Sequence, residues 1–320
     1  MKDPVVKCLI VQPVHEDGLA MLRNAGVDPV ICPDSSQGTV SSMIVDCNAV
    51  ITRDHGLSAA SIRAGKALKV VVVHGAGHDA VDKKAATEQG VLVCNTPGAN
   101  ARSVAELALG LALAAARKLP VADRAVRTGK TGFREGNSTV ELWGKTALIV
   151  GFGNIGRKLA QCLRSAFDMR VLVHSPHAVD LGDYERADSL TQGLAAADLI
   201  SLHTPLRPET RAMIGTEALA HCRRGAILVN TARAGLVDEA ALATALTCGQ
   251  LSAAALDVYS PEAPFGPLGR LDQVIFTPHL GGATEEALSR VAKGAAANVL
   301  EALAGTRPAT AVNNPQGWSR

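Results

Sequence analysis

The sequence predicts an α/β protein made of two doubly wound parallel sheets, and composition, pattern and length all point that way. Hydrophobic residues make up 47% of the 320 positions and aromatics only 3%. Its cores are therefore aliphatic, which suits parallel strands buried on both faces and covered by Ala-rich helices. Apolar, β-branched runs alternate with helix-like segments, the pattern of βαβ units. The chain is also longer than most single domains, so two are expected.

The first series of strand-like runs is "VVKCLIV", "DPVIC", "NAVIT", "LKVVVVHG" and "GVLVCNT", with "HEDGLAMLRNAG" and "HDAVDKKAATEQG" as helices between them. A second series follows: "KTALIVG", "MRVLVHS", "DLISLHT", "GAILVNT", "LSAAALD" and "QVIFTPH". Six strands in two groups of three is the arithmetic of a dinucleotide-binding domain. Between the series, "NTPGANARSVAELALGLALAAARKLP" carries Ser103 with Glu106 three residues on, a capping box that predicts a helix start there. Its body is apolar on nearly every face and is expected to be buried on all sides, the second face against a partner subunit or the other domain. A homodimer is the expectation. Near the end, Leu288, Val291, Ala292, Ala295, Val299, Ala302 and Leu303 fall on one stripe of an amphipathic helix, closed by Gly305 and Pro308. That helix needs a surface to cover, and the first domain is the expected one.

Formal charge is +2, from 32 basic and 30 acidic residues interspersed along the chain. No basic cluster marks a nucleic-acid or membrane partner. Seven cysteines, scattered singly, argue against a disulfide framework and against a metal site, and they fit a reducing, cytoplasmic setting. The opening "MKDPVVKCLIVQP" lacks a secretory pattern, and "VAELALGLALAAA" is too short to span a bilayer.

"TALIVGFGNIGRKLAQCL" contains Gly151, Gly153 and Gly156 as G-x-G-x-x-G between a strand and a helix. The first glycine permits the sharp turn, the second lets the backbone approach a diphosphate, and the third lets helix and strand pack closely. A diphosphate on the helix N-terminus is the expected ligand. Downstream, Arg233, Glu262 and His279 each follow a strand, and ligands of open α/β sheets lie at the carboxyl ends of strands. Singly they read as a surface arginine, a solvated loop carboxylate and a turn histidine. Together, beside a dinucleotide site, they make coincidence the weaker account.

The stretches "NTPGANARSVAELAL", "ELWGKTALIVGFGNIGR", "LHTPLRPETRAMIG", "NTARAGLVDEAAL", "LDVYSPEAP" and "TPHLGGAT" carry a resemblance to a known family. The chain resembles the D-isomer-specific 2-hydroxyacid dehydrogenases, most closely their phosphoglycerate dehydrogenase-like branch. The resemblance implies a Rossmann dinucleotide-binding domain, residues 99–284, inserted in a flavodoxin-like substrate domain, residues 1–98 and 285–320. It implies that Arg233, Glu262 and His279 match the family's catalytic residues. It also implies that the amides of Gly75, Ala76 and Gly77 hold the substrate carboxylate, and that Asp257 binds the nicotinamide carboxamide. The cofactor is expected on Gly151, Gly153, Asn154, Ile155 and Gly156, on His174 and Ser175 after the next strand, on Thr204, Pro205 and Thr210, and on Thr231 and Ala232.

The chemistry is consistent with those roles. Reducing a 2-keto acid takes a hydride from nicotinamide C4 and a proton on the carbonyl oxygen. His279 as an imidazolium can deliver the proton, with Glu262 favouring its charged form and fixing its ring. Arg233 can grip carboxylate and carbonyl oxygens in its rigid fork. The expected substrates are small 2-keto or 2-hydroxy acids of the 3-phosphoglycerate, hydroxypyruvate or glyoxylate type. Arg53 reads equally as a substrate contact or a loop arginine, and His78 stands where relatives more often show an aliphatic residue. Ser175 occupies the position where NAD-specific enzymes place an acid, which tilts the cofactor reading from NAD toward NADP. The rival function is a nucleotide-sensing transcriptional co-repressor of the same fold.

Overall fold

The computed structural model describes residues 5–318. They form two compact units: one from the residues up to Asn100 together with those from Gly282 on, the other Ala101–Gly281.

The first unit holds five parallel strands, β1 (Val6–Ile10), β2 (Val27–Ile31), β3 (Ala49–Thr52), β4 (Val70–Val73) and β5 (Leu92–Cys94), in the order β2-β1-β3-β4-β5. That is the flavodoxin-like order. Pro29 sits in edge strand β2, where a missing N–H costs no ladder bond. Apolar clusters cover both faces of the sheet. One of them takes in Ala295, Ala296, Val299 and Ala302 of helix Glu285–Leu303, so the final helix packs in this unit's core. It also meets helix Glu16–Asn24 backbone to backbone, since a Cβ on Gly18 would lie 2.7 Å from the Ala292 carbonyl oxygen.

The second unit has seven parallel strands rather than six. They are β6 (Thr146–Val150), β7 (Arg170–His174), β8 (Glu185–Arg186), β9 (Leu199–Leu202), β10 (Ala226–Asn230), β11 (Leu251–Leu256) and β12 (Val274–Phe276), ordered β12-β11-β10-β9-β6-β7-β8. The extra strand, β8, is two exposed charged residues on the sheet edge, with no apolar run to announce it. The groups are therefore three and four, and the order reverses between β6 and β9, the kind of switch point at which doubly wound sheets bind their ligands.

Helix Ala101–Ala116 corrects two expectations. It begins two residues before Ser103, which is buried inside its first turn and so is not a cap. Nor is it buried on all sides. Ala105, Ala108, Leu111, Ala112 and Ala115 enter the core, while Arg102, Glu106 and Gly110 stay exposed along one stripe. Among the described residues no helix is long and apolar enough to cross a membrane.

Candidate active site

The G-x-G-x-x-G turn has the geometry its glycines permit. Gly151 has φ 95°, and a Cβ there would lie 2.7 Å from the His203 carbonyl and the Thr204 nitrogen. Gly156 lets helix Asn154–Phe167 approach, since its Cβ would fall 2.2 Å from the Gly151 oxygen. Gly153 is the N-cap of that helix, makes no side-chain cap bond, and has open space where a Cβ would project. An uncapped helix N-terminus under a glycine, with Asn154 and Ile155 in its first turn, fits a diphosphate. Across the switch point, Thr231 is buried and its Oγ1 has no protein partner. Such an orphan is open to a contact from a ligand or a water.

The loops around this turn are held by their own side chains. His174 accepts the Gly151 N–H on its carbonyl at 2.9 Å, and burial lowers the pKa of its ring below the ordinary value. The Thr210 hydroxyl accepts from the Arg207 N–H and donates to the Pro205 carbonyl, both at 2.8 Å. Thr210 therefore shapes the loop that carries Thr204 and Pro205. The ring of His203 is joined to the Ser201 hydroxyl at 2.9 Å, and burial pushes its pKa down to about 4, so it is neutral at pH 7.

The catalytic candidates share one rim because β10, β11 and β12 are adjacent and in register at their ends, with Asn230 beside Leu256 and Leu256 beside Phe276. Arg233 follows β10 by three residues. Buried Asn230, which the sequence did not flag, builds its turn: the side chain accepts the Ala232 N–H at 3.0 Å and donates to the Arg233 carbonyl at 2.9 Å. His279 follows β12 by three residues, is exposed, and holds φ 55°, a left-handed conformation rare for a residue with a Cβ. Asp257, 1% exposed, explains how that strain is held. Its Oδ1 accepts from the Thr277 hydroxyl at 2.6 Å and the Leu280 N–H at 2.7 Å, and its Oδ2 accepts from the Gly281 N–H at 2.9 Å. The Asp257 carbonyl takes the His279 N–H at 3.1 Å. A carboxylate expected to face the nicotinamide thus also clamps the loop on both sides of the histidine.

Glu262 departs from expectation. Its carboxylate is exposed and makes no hydrogen bond or ion pair among the described residues, so the clamp on the 277–281 loop is the work of Asp257. The stretch leading to Glu262 is tied down by Glu239, which accepts the Ser260 N–H at 2.7 Å and the Ser260 hydroxyl at 2.6 Å.

In the first unit, the loop after β4 also differs from the expectation. The Gly75 N–H already donates to the Val73 carbonyl and the Thr96 hydroxyl, both at 2.9 Å. That leaves Ala76 and Gly77 as the loop amides with no acceptor among the described residues. Asn95 steadies them by donating to the Ala76 carbonyl at 2.7 Å. The His78 carbonyl accepts the Lys83 ammonium at 3.0 Å. Arg53 donates through Nη1 to the Pro13 carbonyl at 3.1 Å, and its backbone N–H is held by Gln12.

Comparison with known proteins agrees with this frame. Residues 109–281 match the D-isomer specific 2-hydroxyacid dehydrogenase family, NAD binding domain. The chain is 37% identical over 318 residues to the D-3-phosphoglycerate dehydrogenase of Methanocaldococcus jannaschii, covering 97% of this chain and 60% of that protein. It is 37% identical over 287 residues to the hydroxypyruvate reductase of Thermotoga maritima, covering 87% of this chain and 92% of that one. Among solved structures it superposes with a TM-score of 0.84 on the NADPH-dependent glyoxylate/hydroxypyruvate reductase of Sinorhizobium meliloti, bound to NADP and malonate. Identity there is 26%, and 97% of each chain is covered. The chain belongs to the D-isomer-specific 2-hydroxyacid dehydrogenase family, and its 101–281 unit is an NAD(P)-binding domain. It spans about 60% of the length of the archaeal phosphoglycerate dehydrogenase.

Proposed function

We propose that the protein is an NAD(P)-dependent dehydrogenase that interconverts small 2-keto acids and D-2-hydroxy acids of the 3-phosphoglycerate, hydroxypyruvate or glyoxylate type. The observation that carries this reading is the rim of β10, β11 and β12, where Arg233 and His279 follow in-register strand ends and a buried carboxylate clamps the histidine loop. Nicotinamide, when bound, supplies or takes up the hydride. Arg233, whose Nη1 donates to the Ala232 carbonyl at 2.7 Å, turns the planar fork of its guanidinium to the substrate carboxylate and the oxygen that gains charge. His279 gives a proton to that oxygen in reduction and takes it back in oxidation. Glu262 favours the imidazolium as the bound complex tightens, since catalytic hydrogen bonds are often long before substrate arrives. In the other unit, the Ala76 and Gly77 amides are the proposed carboxylate donors, and Arg53 the contact for a distal phosphate.

A second copy covers the exposed stripe of helix Ala101–Ala116 and the exposed apolar Leu119, Val126, Val140 and Trp143 that follow it in sequence. Seven unpaired cysteines suit the reducing cytoplasm. The test is a panel of 2-keto acids with NADPH and NADH, followed by nicotinamide oxidation. Turnover of at least one acid to the D alcohol is expected, and turnover of none overturns the assignment.

A further inference from the structure

The nucleotide-selecting corner of the 101–281 unit holds a cation that no local sequence pattern announced. Arg186 lies on the edge strand β8, opposite Val173 of β7. From there its guanidinium reaches under the loop after β7, donating through Nη1 to the Ser175 carbonyl at 3.2 Å and through Nη2 to the Ala178 carbonyl at 2.7 Å. Those two bonds orient the planar fork and leave three of its five N–H groups unused. They go to neutral acceptors, so the charge is not cancelled. Among the described residues Arg186 forms no ion pair, and its side chain is exposed.

The acids nearby are engaged elsewhere. Glu185 pairs with Arg170, Asp180 accepts the Gly182 N–H on its own turn at 2.7 Å, and Asp183 faces Arg164 at 4.0 Å. A second guanidinium, that of Arg157, holds the far end of the same loop through the Asp180 carbonyl at 2.6 Å while stacked on Phe152. Among the described residues the Ser175 hydroxyl has no partner. In doubly wound dinucleotide sites this strand end faces the adenosine ribose, where an acid reads a 2′-hydroxyl and a nearby arginine accommodates a 2′-phosphate.

We infer that Arg186, with the Ser175 hydroxyl, is the 2′-phosphate anchor of this chain and makes NADP the preferred cofactor. The cation reaches this loop from the neighbouring strand β8 and not from the residues that follow Ser175. Bound there, a 2′-phosphate gains charge-assisted hydrogen bonds from a fork whose orientation is already fixed. This rests on the dinucleotide-site reading of the 101–281 unit and not on which acid is turned over.

The test is calorimetric titration of the full chain with adenosine 2′,5′-bisphosphate and with AMP, alongside kcat/KM for NADPH and NADH. Wild type is expected to bind the bisphosphate at least about tenfold tighter than AMP, the scale of one charge-assisted hydrogen bond. Arg186→Gln should erase that ratio while AMP affinity stays, Arg186→Lys should keep part of it, and Ser175→Asp should invert it. A wild type that binds the two ligands equally overturns the inference. So does an Arg186→Gln variant that weakens both alike, because the arginine would then only shape the loop. Absence of keto-acid turnover would sink the proposed reaction and leave the adenosine titrations fully interpretable.

Discussion

The loop after β12 and the loop after β4 are built to the same plan and secured by different forces. Both leave the carboxyl end of a parallel strand, and both take a conformation that needs holding, with His279 at φ 55° and Gly75 at φ 148°. The first is held by the buried charge of Asp257, which accepts three hydrogen bonds. The second is held by neutral groups, the Thr96 hydroxyl and the Asn95 amide. A glycine enters the positive-φ region at no steric cost, whereas a histidine there is strained and must be over-determined by its surroundings. Where a strained histidine stands at a strand end, the fold uses a buried carboxylate. Where only backbone amides are to be offered, neutral bonds suffice.

Removing the histidine should give the largest effect. His279→Ala is expected to lower kcat by about 10²–10⁴-fold, the usual contribution of a general acid. Cofactor affinity, followed by nicotinamide fluorescence, should be nearly unchanged. A loss well under that range would mean the clamped loop presents something other than the proton donor.

Asp257→Asn attacks the clamp itself. The amide cannot accept all three donors, and hydrogen bonds to charged groups are worth about 1.5–3 kcal/mol each. We expect a loss of about 2–3 kcal/mol in urea unfolding, together with a fall in kcat. Stability and turnover both at wild-type level would show that Asp257 does not hold the loop.

The matching change in the other loop is Thr96→Val, which removes a hydroxyl that accepts the Gly75 N–H at 2.9 Å and donates to the Gly75 carbonyl at 3.2 Å, both neutral bonds. About 0.5–1.5 kcal/mol is expected by the same unfolding measurement. If Thr96→Val costs as much as Asp257→Asn, the contrast between charged and neutral fastening is wrong.

Near neutral pH the smallest effect comes from the two buried histidines, one in each unit. His203 is pushed down to about 4 by burial alone, and His74 to about 4 by burial first and the Arg53 charge second. An unfolded histidine titrates at its ordinary 6.5, so between 6.5 and about 4 the unfolded chain binds the extra protons. Stability is therefore complete above that window and lost as pH falls through it. His203→Gln should flatten the decline in a pH series of thermal melts. An unaltered slope would remove His203 as its source.

The sequence by itself determined the two sheets, since every parallel strand except β8 lies in an apolar run that the sheet covers. It also determined the turn glycines, because only glycine suits the φ of 95° and the close approaches at Gly151 and Gly156. The placement of Arg233, Glu262 and His279 past strand ends was legible for the same reason, since each stands a few residues beyond such a run. What lay beyond local pattern was everything fixed by neighbours distant in sequence. The short charged strand β8 exists only because β7 offers it an edge, and through it Arg186 reaches Ser175. Ser103 looked like a cap because its spacing to Glu106 fits one, yet the helix had already begun at Ala101. The exposure of Glu262 and the engagement of the Gly75 amide depend on where Glu239 and Thr96 arrive in space. Asp257 is one carboxylate in the sequence, and only the meeting of β11 with β12 turns it into the fastening of His279. Periodicity and turn chemistry are written locally, while hydrogen-bond partners across strands are chosen by the packed sheet.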